Sequence, residues 1–257
     1  MQEQEQKPKR RRGIYLLPNL FTTAALFSGF YAVLAAMNGQ FEPAALAIFV
    51  AMILDGLDGR VARMTNTQTA FGAEYDSLSD MVAFGLAPAL VMYVWALKGL
   101  GKFGWLAAFI YTAAAALRLA RFNTQVGIAD KRYFQGLPSP AAAAIMAACV
   151  WGAVEYGVDR TGVAWVVGIL TAVVGLLMVS NFRYHSFKEL DIRGKVPFFV
   201  LVIIMLAFAI ILWEPPFILF LVFIGYAVSG PVLTLIYLRQ RREERKKGQT
   251  TDEDTEA

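Results

Sequence analysis

The sequence predicts an all-α, polytopic membrane bundle of about eight transmembrane helices, with both termini in the cytoplasm. Three observations predict it. Of the 257 residues, 57% are hydrophobic and 17% charged, against roughly 45–50% and about 25% in a soluble domain. Eight apolar stretches succeed one another, each near the roughly 20 residues that a spanning helix needs. The lysines and arginines fall almost entirely on one side of such a bundle.

Eight helices of that kind use roughly 160 residues. That leaves room for short loops and two tails but for no separate soluble domain. A mean hydropathy of +0.50 excludes a disordered chain. The single cysteine, Cys149, excludes an intramolecular disulfide. With only His185 beside it, the usual zinc ligand count cannot be reached. Cys149 reads as a core residue and His185 as a surface residue of the loop between helices six and seven.

Residues 1–15 form a basic tail carrying Lys7, Lys9, Arg10, Arg11 and Arg12. A basic stretch before an apolar one is also the pattern of a signal peptide. The apolar run here exceeds the 7–15 residues of a signal h-region, so it reads as an uncleaved first span. The membrane domain covers 16–238. Its helices are predicted over 16–37, 43–64, 71–97, 103–123, 138–156, 162–182, 196–213 and 216–238. A charged tail, 239–257, is basic to Lys247 and acidic from Asp252 to Glu256.

The orientation comes from the basic residues. With the N-terminus inside, the cytoplasmic side holds five in the first tail and two at the end of helix two, Arg60 and Arg63. It holds four around the 4–5 loop (Arg118, Arg121, Lys131, Arg132) and four in the 6–7 loop (Arg183, Lys188, Arg193, Lys195). The C-terminal tail adds six, for 21 in all, against Lys98, Lys102 and Arg160 on the far side. Seven spans would put one basic tail outside. The basic excess suits an anionic membrane surface or an anionic substrate, and no nucleic-acid partner is expected. Lys131, Arg132 and the loop from Gln125 read as solvated surface.

The chemistry lies in DGLDGRVARMTNTQTAFGAEYDSLSD, residues 55–80. Asp55 and Asp58 are three apart, and Asp76 and Asp80 four apart, so each pair shares a helix face. A short loop makes the two helices antiparallel neighbours, and the four carboxylates can converge near the cytoplasmic boundary. Ionised side chains inside a bilayer are costly and usually functional. Clustered anions repel, and divalent cations remove both problems. Hard oxygen ligands favour Mg²⁺ or Mn²⁺, with Ca²⁺ possible. Two such ions could clamp a diphosphate.

Small residues surround the acids. Gly56 reads as ordinary helix packing, whereas Gly59 and Gly72 flank the cluster and suit either packing or the close approach of a nucleotide. Arg63, four residues after Gly59, can hold a phosphate with a bidentate contact or snorkel to the interface.

At these residues the sequence resembles the CDP-alcohol phosphatidyltransferase family. The motif is D-x2-D-G-x2-A-R, eight residues, then G-x3-D-x3-D. Asp55, Asp58, Gly59, Ala62, Arg63, Gly72, Asp76 and Asp80 fill every fixed position. LPNLFT at 17–22, RLARFN at 118–123, GLPSPAAA at 136–143 and DSLSDMVAFGLAPA at 76–89 resemble one branch, which uses CDP-diacylglycerol and L-serine. The resemblance spans most of helices one to five. It implies that Asp55, Asp58, Asp76 and Asp80 bind two divalent ions, and that Asp80 is also the general base for the incoming hydroxyl. It implies that Gly59, Arg63, Thr69 and the stretch Pro18, Asn19, Leu20, Phe21 contact CDP-diacylglycerol. It further implies a homodimer in the cell membrane with the active site facing the cytoplasm. Asn19 is equally readable as a helix start signal. Arg118 and Arg121 suit positive-inside anchoring or a pocket for a phosphate or the serine carboxylate.

Two rivals fit less well. An aspartate-rich membrane prenyltransferase has its second acidic motif in a distant helix, whereas here the second pair begins 18 residues after Asp58. A cation transporter wants a midplane site and helices broken in an inverted repeat. Spacing and charge alone do not choose serine over glycerol phosphate or inositol phosphate.

Overall fold

The computed structural model describes residues 16–65, 67–125, 133–185 and 198–253. It is a bundle of helices in chain order: α1 Leu16–Met37, α2 Phe41–Thr65, α3 Ala70–Trp95, α4 Lys102–Gln125, α5 Ser139–Glu155, α6 Arg160–Val179, α7 Phe198–Trp213 and α8 Pro215–Glu253. α3 is α-helical to Asp80, π-helical over Met81–Leu86 and α-helical again over Ala87–Trp95. The limits match the predicted ones to within a few residues, apart from α8. That helix runs on past Leu238, so the start of the charged tail continues the last span.

α1, α3, α4, α6 and the first part of α8 are long and apolar enough to cross a membrane, and α5 and α7 are shorter apolar helices. α2 has the length but carries Glu42, Asp55, Asp58, Arg60 and Arg63. The chain is a multi-pass helical membrane protein. Its outward residues are large and apolar, among them Phe27, Phe30, Trp105, Phe109, Val166 and Leu176. In water such a surface would aggregate, whereas in a bilayer it is solvated by lipid chains.

α5 is the centre. Its run Ala141–Ala144 with Ile145, Met146, Ala147 and Ala148 is buried. Alanines let helix backbones approach closely where no hydrophobic drive separates helix from lipid. α2 and α8 pack on α5, α1 lies along α2, and α6 lies along α4. α7 touches mainly α8 and is exposed along most of its length.

Two short strands, β1 Tyr133–Gln135 and β2 Arg183–His185, pair antiparallel. They join the segment after α4 to the one after α6, at the end of the bundle where the acidic motif lies. Gly136 leaves β1 at φ 79°, with its amide on the Phe182 carbonyl at 2.9 Å. A Cβ there would collide with the Met178 carbonyl, so both conformation and space require glycine. Tyr184 is fully buried and donates its hydroxyl to the Ala227 carbonyl at 2.9 Å. Its ring lies where a side chain on Gly230 would stand. His185 therefore belongs to a strand, while Cys149 is partly buried against the core as expected. The N-terminal basic tail, Lys131, Arg132, Lys188, Arg193 and Lys195 lie outside the described residues.

Candidate active site

The end of α2 and the start of α3 run antiparallel, and their carboxylates meet in crossed pairs. Asp55 and Asp80 are in carboxyl contact, as are Asp58 and Asp76. One oxygen from each of Asp55, Asp76 and Asp80 lies within 4.8 Å of the other two. Oxygens ligating one divalent ion lie up to about 4–5 Å apart, so the cluster fits such an ion. The donor set is carboxylate oxygen alone, which suits a hard cation.

Asp58 sits deeper, at 5% exposure. Its Oδ2 accepts a hydrogen bond from Thr22 Oγ1 at 2.7 Å. Ser79 Oγ donates to the Thr22 carbonyl at 3.0 Å. The hydroxyls of Thr23 and Tyr75 are 2.9 Å apart. α1 is thus tied through polar groups to both acid-bearing helices.

A cavity of about 290 Å³ opens beside the acids. α1 contributes Pro18, Asn19 and Thr22, α2 contributes Asp58, Gly59, Ala62 and Arg63, and α3 contributes Gly72, Ala73 and Asp76. Thr67, Gln68 and Thr69 close it from the connection. Thr69 caps α3, accepting the Gly72 amide at 3.0 Å. The positive end of the helix dipole and the Arg63 guanidinium therefore border one space, an arrangement that attracts anions. A Cβ on Gly72 would stand 3.1 Å from Thr69 Oγ1 and 3.5 Å from Asn19 Oδ1. A Cβ on Gly59 would face the Arg63 guanidinium at 3.5 Å. Both glycines keep the cavity open. Among the described residues none lies within 4 Å of a Cβ position on Gly56, so the close packing expected of it is not made within this part of the chain.

The sequence model described as CDP-alcohol phosphatidyltransferase matches residues 15–177. The chain belongs to the CDP-alcohol phosphatidyltransferase family. Three similar proteins carry the name CDP-diacylglycerol–serine O-phosphatidyltransferase. One from Helicobacter pylori (strain J99) is 36% identical over 230 residues, covering 88% of this chain and 93% of that protein. One from Mycobacterium tuberculosis (strain H37Rv) is 32% identical over 233 residues, covering 88% and 81%. One from Methanocaldococcus jannaschii is 37% identical over 142 residues, covering 55% and 63%.

The remaining residues singled out by the family resemblance divide. Pro18 and Asn19 line the cavity. Leu20 is 65% exposed on the outer face of α1, and Phe21 is half-buried away from the cavity lining. Arg118 lies on the Asp80 side of the cluster, outside the cavity lining. Its Nη1 donates to Ser139 Oγ at 2.8 Å, and its charge interacts with Asp80 and Tyr226. Arg121 turns away, donating to the Val179 carbonyl at 3.2 Å and Asn181 Oδ1 at 3.3 Å. There it ties the end of α6 to α4. Sequence reasoning missed Thr22, Thr67, Gln68 and Ser139 as site residues. Thr22 and Ser139 lie inside stretches that carry the resemblance, but nothing in the sequence says that their hydroxyls face Asp58 and Arg118.

Proposed function

We propose that the chain transfers the phosphatidyl group from CDP-diacylglycerol to the hydroxyl of L-serine, giving phosphatidylserine and CMP. The carrying observation is the Asp55, Asp76 and Asp80 cluster beside a cavity bordered by Arg63, Gly59 and Gly72. The printed names of the relatives supply the acceptor.

Asp55, Asp58, Asp76 and Asp80 would hold two Mg²⁺ or Mn²⁺ ions, which neutralise the diphosphate and the charge that develops on it. Arg63, Gly59, Thr69 and Gly72 receive the cytidine diphosphate, and Pro18 and Asn19 close its other side. Leu20 and Phe21 lie toward the acyl chains. Asp80 takes the proton of the serine hydroxyl as that oxygen attacks the β-phosphorus in line. The bond from the β-phosphorus to the CMP oxygen breaks, and CMP leaves. The base is useful only while attack develops, so its position matters as much as its basicity. Arg118, beside Asp80, is placed to receive the serine carboxylate. The bundle lies in the cell membrane with this site facing the cytoplasm, as the distribution of basic residues supports, and it works as a homodimer.

The test is an acceptor panel. Purified protein with CDP-diacylglycerol and Mn²⁺ should release CMP with L-serine and not with glycerol 3-phosphate, inositol phosphate or buffer alone. Release with a phosphorylated acceptor in place of serine would move the assignment to another branch of the family. Full activity in EDTA would refute metal dependence.

A further inference from the structure

α3 changes pitch immediately after Asp80. Over Met81–Leu86 the helix is π-helical, and the Ala87 amide bonds the Val82 carbonyl five residues back. Such single turns inside α-helices are rare and concentrate at functional sites. Pro88 gives this one a local cause. In a regular helix the amide of residue 88 would bond the Phe84 carbonyl, but proline has no N–H and its ring crowds the carbonyl four residues back. In a membrane a carbonyl left without a donor is destabilising.

The missing donor comes from another helix. Tyr111 of α4, fully buried, donates its hydroxyl to the Phe84 carbonyl at 3.0 Å. The turn is also held from both flanks. Gly29 of α1 lies against the Ala83 backbone, and Gly85 has Ala115 of α4 within 3.1 Å of a Cβ position. Beyond the turn, Ala87, Ala89, Val91, Met92 and Trp95 are locked in the core.

One extra residue in a helix rotates the half before it by about 100° relative to the half after it. The half after the turn is anchored, so the turn determines the direction in which Asp76 and Asp80 project. We infer that the Tyr111–Phe84 hydrogen bond at the Pro88 π-turn sets the rotational phase of the acid-bearing half of α3, making Tyr111 a positioning residue for Asp80. The inference deepens the proposed transferase reading and rests on it only for the role of Asp80.

Tyr111→Phe removes one hydroxyl. It should lower kcat about 10- to 100-fold, as small misplacements of a reacting group do, while KM for CDP-diacylglycerol stays within about threefold. Mn²⁺ binding to the substrate-free protein, monitored by electron paramagnetic resonance, should weaken about tenfold, the lower end of the range for lost ligand orientation. A loss of general stability would mimic the first effect, so the comparison is Tyr184→Phe, which removes another buried tyrosine hydroxyl from a helix carbonyl, that of Ala227 in α8. Both variants should lower the melting temperature, but Tyr184→Phe should keep kcat and Mn²⁺ affinity within about threefold of wild type. If Tyr184→Phe lowers kcat and Mn²⁺ affinity as far as Tyr111→Phe does at a similar melting temperature, Tyr111 only satisfies a carbonyl and the inference fails. Wild-type values for both in the single Tyr111→Phe variant also overturn it. Because Mn²⁺ binding needs no acceptor, the result is independent of whether serine is the substrate.

Discussion

Thr22 Oγ1 donates to Asp58 Oδ2 at 2.7 Å, bringing α1 into the acidic site of α2. A hydroxyl that holds one carboxylate oxygen fixes the orientation of the whole carboxyl group, and such supporting bonds usually contribute 10- to 100-fold in metal affinity. Thr22→Val keeps the shape and loses the donor. It should weaken Mn²⁺ binding by about 10- to 100-fold, whereas Thr22→Ser should keep most of it. Isothermal titration of both variants with Mn²⁺ checks this; equal affinities in the two would assign the hydroxyl no role.

Asp80 and Asp58 should separate chemistry from binding. Asp80→Asn removes the proton acceptor and should lower kcat by roughly 10²–10⁴, the range for a general base. CDP-diacylglycerol binding should stay closer to normal than in Asp58→Asn, which loses a carboxylate that lines the cavity. Asp80→Glu should also fail, since a longer arm displaces the base. Steady-state kinetics beside a binding assay reads both. Near-normal turnover in Asp80→Asn with a dead Asp58→Asn would pass the base role to another group.

The two arginines of α4 should behave differently although they are three residues apart. Arg118 faces Asp80 and Ser139, while Arg121 binds the Val179 carbonyl and Asn181. Arg118→Lys, which loses the planar fork, should raise KM for serine about tenfold or more at little change in KM for CDP-diacylglycerol, as removal of one charge-assisted contact does. Arg121→Gln should lower the melting temperature with KM for serine near wild type. The reverse pattern would move the acceptor pocket to Arg121.

At the other end of the bundle, Asp159 caps α6, accepting from the Thr161 and Gly162 amides at 3.1 Å each. The Thr161 hydroxyl and these amides hold its carboxyl below the usual carboxylate range. A depressed folded value means that the capping stability is present above the unfolded value, about 3.9, and is lost as pH falls through the folded one. Asp159→Ala should therefore melt below wild type at pH 7, and the gap should close on acidification. A gap independent of pH would show that the charge is not what caps the helix.

Much of this site was readable without the fold. Asp55, Asp58, Asp76 and Asp80 announce themselves because a bilayer tolerates so few carboxylates, and helical spacing says which share a face. Helix limits were legible because lipid demands long apolar runs; α1 was predicted over its observed span. The hidden features depend on partners distant in sequence. Arg121 carries the same charge as Arg118, and only the packing of α6 assigns it to the Val179 carbonyl. β1 and β2 are three residues each, too short to show an alternating pattern, and they exist because each supplies the other's hydrogen bonds. Pro88 was visible as a proline inside an apolar helix, but its effect required the hydroxyl of Tyr111. The extension of α8 was obscured because charged residues read as a tail whether or not their backbone stays helical.

In the proposed mechanism the serine hydroxyl itself attacks phosphorus under the control of this acid cluster. The most direct test uses L-serine labelled with ¹⁸O in its side-chain hydroxyl, together with CDP-diacylglycerol and Mn²⁺, with both products read by mass spectrometry. Wild-type protein should give phosphatidylserine that retains the label and unlabelled CMP in equal amount, and Asp80→Asn should form neither above about a hundredth of the wild-type rate. Phosphatidylserine without the label, or CMP released with no labelled lipid, would contradict it.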